Sequence, residues 1–441
     1  MAQTTPRQRV WQALRHQQPD RVPWQFGYTV PARQKLEQHF GTADLDAVLG
    51  NHLRKYRPRA DDALLEVRPG FWRDEFGVMW NRTIDKDIGT VVDYQLKQRS
   101  LAGFAFPDPH DPQRYARLPS FLAAHADHFR YVSIAFSLFE RAWTLRGMEQ
   151  LLIDMLEAPE FVDELLDAIT AFDLGILGEV LSLDIDGVMF GDDWGQQRGL
   201  IFGRRLWQRF IKPRITQLYG AVKRAGKAVL IHSCGQVQEL FPELIEAGLD
   251  VFNPFQPEVM DSYEIKRQFG SRLAFWGGVS VQKLLPFGTP QQIRDEVRRL
   301  MDGVGADGGY IMAPSHDMPG DNRLNPRGSP MSSVILASTV LALVLALDRR
   351  NILACGSRTP PMLARRWPAS GPPLRATHRL RSLSLLVRRN SGHAEAQVVV
   401  PEPGLGVVAV RGPADSGAAV PATAATHAAR SLHRPSRIVR R

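Results

Sequence analysis

An α/β fold of the (β/α)8, or TIM, barrel class is predicted by three features of residues 1–321. Short runs that are apolar throughout recur along this stretch, as suits parallel strands covered on both faces. Longer segments with apolar residues at helical spacing lie between them. Strand, helix and strand repeat roughly every 25 to 40 residues without a glycine-rich dinucleotide turn, which favours a closed barrel over an open sheet.

The runs read, in order, RVPWQF near Arg21, YVSIAF from Tyr131, DGVMFGDD from Asp186, KAVLIHSCG from Lys227, DVFNPFQP from Asp250, LAFWGGVS from Leu273 and GGYIMAPSH from Gly308. An eighth strand is expected within residues 60–100, where DEFGVMWNR and TVVDYQL read as paired β segments inserted near the first strands. Pro159 suits the first turn of a helix whose apolar face is Val162, Leu165, Ile169, Phe172 and Ile176. Trp207, Phe210, Ile211, Ile215, Leu218 and Val222 form a second such face. Gly226 and Gly248 follow the ends of helical patterns, where a left-handed cap is comfortable.

The net charge of +9 over 441 residues conceals a break near Asp321. Residues 321–441 hold 18 Arg, no Lys and 5 acidic residues, so the basic excess belongs to this stretch and the remainder is mildly acidic. With no basic stripe or reader motif before the break, nucleic acid is not an expected partner. Two cysteines, Cys234 and Cys355, make no disulfide framework, and the N-terminus carries no apolar stretch of the signal-peptide kind. The run from Val334 to Leu347 falls short of the roughly 20 residues that cross a bilayer. A cytoplasmic, non-membrane protein is the expectation.

Barrel active sites lie at the C-terminal ends of the strands, which directs attention to the polar residues that close each run. In VLIHSCGQ, His232 and Cys234 are two apart on an extended segment, so imidazole and thiol point the same way and fit an N/S pair for zinc. A core histidine beside a small buried cysteine is the competing reading. His316 ends the last run on the same rim, and Glu140 or the pair Asp192 and Asp193 offers an oxygen ligand. Three protein ligands with one open position describe a catalytic zinc.

Asp192 and Asp193 either orient a ligand and act as a base, with Arg198 on an anionic group, or cap the next helix. Asn253 and Gln256 either donate to a ligand or fix their own loop. Trp276, Gly277 and Gly278 either admit a flat ligand close to the backbone or make a tight strand-to-loop turn.

Taken together, TPRQRVWQALRHQQPDRVP, SLFERAWTLRGMEQLLIDM, GDDWGQQRGLIF, IKPRITQLY, LIHSCGQVQELFPELIEAGLDVFNPFQP, FWGGVSVQKLLPFGTPQQIRDEV and GGYIMAPSHDMPGD resemble the uroporphyrinogen decarboxylase superfamily in its cobalamin-dependent methyltransferase-like branch. The resemblance covers residues 5–321. It implies a (β/α)8 barrel whose zinc, held by His232, Cys234 and a later ligand, serves methyl transfer to or from a corrinoid (methylcobalamin) supplied by a carrier protein. It further implies that Asp193 and Glu140 orient or deprotonate a small methylated substrate, and that Trp276 and Gly278 shape the mouth facing the cofactor.

Two departures matter. The stretch VPWQFGYTVPARQ lacks the arginine-rich motif with which true decarboxylases of the family grip a tetrapyrrole, so decarboxylation in porphyrin synthesis is the alternative function. Where the coenzyme M enzymes place a late cysteine, APSHDMPGD offers His316.

After Asp321 the family pattern continues with Pro-Pro-Glu, whereas this chain reads NRLNPRGSP. If Asn322 to Asn325 were encoded AAC CGC CTG AAC, the shifted triplets CCG CCT GAA would restore Pro-Pro-Glu. Residues 322–441 are therefore expected to be an out-of-frame tail behind a one-base deletion, the alternative being a genuine disordered extension. An inactive frameshifted product is the corresponding third outcome for function.

Overall fold

The computed structural model describes residues 4–59 and 63–319. The expected tail at 322–441, with Cys355 and the Val334 to Leu347 run, lies outside the described residues. The strands are β1 Leu53–Tyr56, β2 Leu64–Arg68, β3 Phe71–Asp74, β4 Met79–Asn81, β5 Thr90–Asp93, β6 Phe129–Ile134, β7 Gly187–Gly191, β8 Gly195–Gln196, β9 Gly199–Leu200, β10 Ala228–His232, β11 Val251–Phe255, β12 Ala274–Val279 and β13 Tyr310–Pro314.

Seven of them form one parallel sheet in the order β1-β6-β7-β10-β11-β12-β13. The sheet curls, and the stretch around Trp24 is the eighth stave. Gln25 N donates to Met312 O and Met312 N to Pro23 O on one side, while His52 N donates to Trp24 O on the other. The predicted RVPWQF strand thus survives only as a bridge to β13, because Pro23 has no amide to give a ladder.

The eighth strand is not in residues 60–100. Those segments make a separate antiparallel sheet, β2-β3-β4-β5, and the missing barrel strand is β1, whose Leu-Arg-Lys-Tyr has no apolar run to betray it. Its inward residue Leu53 joins Phe129, Tyr131, Leu230, Trp276 and Ile311 in the barrel interior, and Val10 of the helix Pro6–Leu14 joins the same core.

The helical faces are buried as the spacing requires. Pro159–Val180 begins with its proline at the first position and buries Val162, Leu165, Ile169, Phe172 and Ile176. Ile215, Leu218 and Val222 of Lys212–Arg224 pack in the same core as Val188 and Phe190 of β7. Gly226 and Gly248 take φ of +70° and +103°, a region open to glycine and strained for other residues. No helix among the described residues is long and apolar enough to cross a membrane.

Candidate metal centre

His232 is the last residue of β10, and Cys234 follows where the chain leaves the barrel rim. His316 lies two residues past the end of β13. One donor atom from each of the three lies within 4.8 Å of the other two. Cys234 Sγ is 3.5 Å from His232 Nε2, and the two imidazole rings sit 5.5 Å apart between centroids.

The neighbours prepare His232 as a ligand. Its Nδ1 is 2.6 Å from Asn253 Oδ1, an acceptor, so the ring proton resides on Nδ1 and the Nε2 lone pair faces Cys234. Asn253 is itself oriented by donating Nδ2 to Trp276 O at 3.0 Å. Gln256 Oε1 accepts from Gly235 N at 2.8 Å, and Asp193 Oδ1 accepts from Cys234 N at 2.7 Å. Asn253 and Gln256 thus brace the segment that carries His232 and Cys234.

The electrostatics ask for a cation. Burial, then the Asp193 and Glu140 carboxylates, push the Cys234 thiol far above its ordinary pKa. Burial and the same acidic company, Asp193 and Asp192, raise Glu140 well above the carboxylate range. Desolvation and the neighbouring His232 hold His316 below the usual imidazole value, so it is a neutral donor at pH 7. A thiol among carboxylates ionises readily only beside a positive charge, and two imidazoles with one thiolate suit Zn²⁺. The residues present fit that ion.

Other predicted residues fall into different places. Asp192 is 1% exposed, and both carboxylate oxygens are engaged: Oδ1 accepts from Glu140 N at 2.7 Å and Oδ2 from Trp194 Nε1 at 2.5 Å. It caps the helix Leu138–Arg146, whose own N-cap Ser137 makes no side-chain cap bond, and not the helix that follows it in sequence. Burial raises its pKa to about 7.

Trp276 belongs to the barrel interior, edge-on to Tyr131. A Cβ on Gly278 would meet Tyr310 Oη at 2.7 Å, so that glycine makes room for a tyrosine. Arg198 is exposed on the turn between β8 and β9.

Sequence reading missed a basic element, Lys55, Arg57 and Arg59, at the end of β1. The alternation of three cations was visible in RKYRPR, but not that it ends a barrel strand.

The fold is a curled parallel sheet of the TIM-barrel kind with a candidate metal site at its C-terminal rim. Residues 132–325 match the family model of uroporphyrinogen decarboxylase (URO-D). Curated relatives are the uroporphyrinogen decarboxylases of Ruthia magnifica, 25% identical over 176 residues, and of Neisseria gonorrhoeae, 25% identical over 193 residues. Those matches take in 39% and 42% of this chain and 48% and 49% of theirs, so the chain spans about half the length of the curated relatives it matches.

Among solved structures, a methyltransferase from Methanosarcina mazei is similar in fold at 16% identity with a TM-score of 0.58, covering 79% of this chain and all of that one. Over residues 132–325 the chain is similar to the uroporphyrinogen decarboxylase family, and it shares its fold with the Methanosarcina mazei structure.

Proposed function

We propose that the chain is a zinc-dependent methyltransferase that moves a methyl group between a small methylated substrate and a corrinoid carried by a partner protein. The observation that carries this reading is the convergence of His232, Cys234 and His316 at the barrel mouth, with Asn253 fixing the tautomer of His232. The similarity in fold to the Methanosarcina mazei methyltransferase agrees with it.

In this reading His232, Cys234 and His316 hold the ion, which supplies the Lewis acidity that lets a thiol, hydroxyl or water act as a nucleophile near pH 7. For transfer onto a thiol, hydroxyl or water acceptor, the methyl donor keeps the bonding electron pair and the acceptor gives up one proton. Glu140, beside Asp193, Asp192 and the thiol, would take that proton as the carboxylate that the charge of a bound cation restores. Asp193 keeps the ligand loop in place through the Cys234 amide.

Elemental analysis tests the centre: about one zinc per folded wild-type chain and little in Cys234→Ala is the expected result. Loss of methyl from methylcobalamin, followed by its absorbance, tests the reaction. The names of the curated relatives favour a second reading, carboxylate loss from a tetrapyrrole. Turnover of a porphyrinogen by a chain without zinc would establish that reading and overturn ours.

A further inference from the structure

A cavity of about 170 Å³ opens between the end of β6, the antiparallel sheet and the helix Pro159–Val180. It does not include the three metal-ligand candidates. Its apolar walls are aromatic: Phe76, Trp80, Phe136 and Phe172, with Trp80 to Phe136 at 5.3 Å and Phe76 to Phe172 at 5.2 Å between centroids.

Four arginines and four acidic residues line it, and six of the eight are already engaged. Asp74 accepts from Arg141 and from Trp80 Nε1 at 3.2 Å, Glu75 pairs with Arg114, Asp87 accepts from Val30 N, and Asp173 accepts from Ser137 Oγ at 2.8 Å. Arg141 is spent on Asp74 and on the Phe76 face, 3.8 Å from the ring centroid, and Arg82 donates to Ile88 O at 3.1 Å. Arg57 and Arg59 remain, and among the described residues neither side chain has a hydrogen-bond or ion-pair partner. Desolvation and the adjacent Arg57 pull Arg59 below its ordinary pKa, although it stays open to solvent because it lines the cavity. Asp74 and Glu75 act on Arg59 only through space, so the donors of both guanidiniums are left to meet an anion that enters the cavity.

From this geometry we infer that the cavity is a binding site for a small planar organic acid, its carboxylate on Arg57 and Arg59 and its ring among Phe76, Trp80, Phe136 and Phe172. A benzoate-sized body suits the volume, and the guanidinium forks match a carboxylate. The site stands apart from the metal centre: a chain that binds the acid and no zinc keeps this inference and loses the methyl-transfer reading.

Calorimetric titration of the full chain with benzoate, and separately with inorganic phosphate, tests it. Saturable benzoate binding is expected, weakened about tenfold or more in Arg57→Gln and in Arg59→Gln. Arg33→Gln, an exposed arginine paired with Glu37, should bind as wild type does. Phosphate, with no ring to bury, should bind at least about threefold more weakly than benzoate. A cooperative melt for each variant certifies folding, and neither arginine has a partner to lose. Equal benzoate binding in wild type and both variants, or no saturable binding, overturns the site. Phosphate binding as tight as benzoate overturns the aromatic acid as its ligand.

Discussion

The two ends of the barrel treat charge in opposite ways. At the N-terminal end, Asp186 is 1% exposed and accepts from Arg7 Nε at 2.8 Å, Trp11 Nε1 at 2.7 Å and the Arg130 amide at 2.9 Å. Asp250 likewise takes Lys223 Nζ and the Val229 amide, and Lys227 Nζ gives to the carbonyls of Leu183 and Ile185. At the C-terminal end, Cys234 and Glu140 lie among Asp193 and Asp192 with Arg141 as a nearby cation, while Arg57 and Arg59 follow β1 with no hydrogen-bonded anion among the described residues. The N-terminal end uses its charges to hold the fold, and the C-terminal end keeps polar groups that can meet a ligand.

The sharpest way to break this contrast is Asp186→Ala. It removes the shared acceptor of Arg7, the Trp11 indole and the Arg130 amide and should cost about 3–5 kcal/mol in denaturant unfolding, with metal content per folded chain unchanged. Loss of zinc without loss of stability would reverse the assignment of the two ends. Asn253→Ala should do the opposite, lowering zinc affinity about 10–100-fold in chelator competition by freeing the His232 tautomer.

Asp192→Ala sharpens the contrast, because Asp192 sits at the open rim and serves the fold. It should lower stability by about 2 kcal/mol through the lost cap and the unpaired Trp194 indole, and leave zinc stoichiometry near wild type.

The smallest effect concerns Asp173, whose carboxyl burial raises to about 7. The unfolded chain ionises this group near pH 4. Its stabilising contribution is therefore full below about 4 and is lost as pH rises through about 7. Asp173→Asn, which cannot ionise, should gain on wild type across that window in unfolding midpoints. A pH-independent difference would show that the carboxyl titrates normally.

How much of this was legible depended on whether a residue's partner is near it in sequence. His232 and Cys234 share a strand end, and period-two geometry alone places them together. The long helices were legible because burial repeats at their own period. β1 was hidden because only Leu53 of its inward pair is apolar, Lys55 reaching the mouth instead. The role of Asn253 was hidden because its partner is on the neighbouring strand, and that of Asp192 because it caps a helix from an earlier unit. Gly278 read as an opening for a ligand because glycine says only that a side chain is missing, and here Tyr310 fills the space.

The Trp24 stave has a consequence for the order of events on the ribosome. Its amides and carbonyls emerge early, yet their partner Met312 belongs to the last strand, and the Gly27 to Met318 and Thr29 to Met318 bonds extend the same seam. A nascent chain therefore carries an open trough until β13 leaves the exit tunnel, and closure must wait for that distant contact. His316 arrives in the same stretch of synthesis. The three candidate ligands and the barrel are completed together, so an ion held by them would enter a finished barrel and would not guide the earlier strands into place.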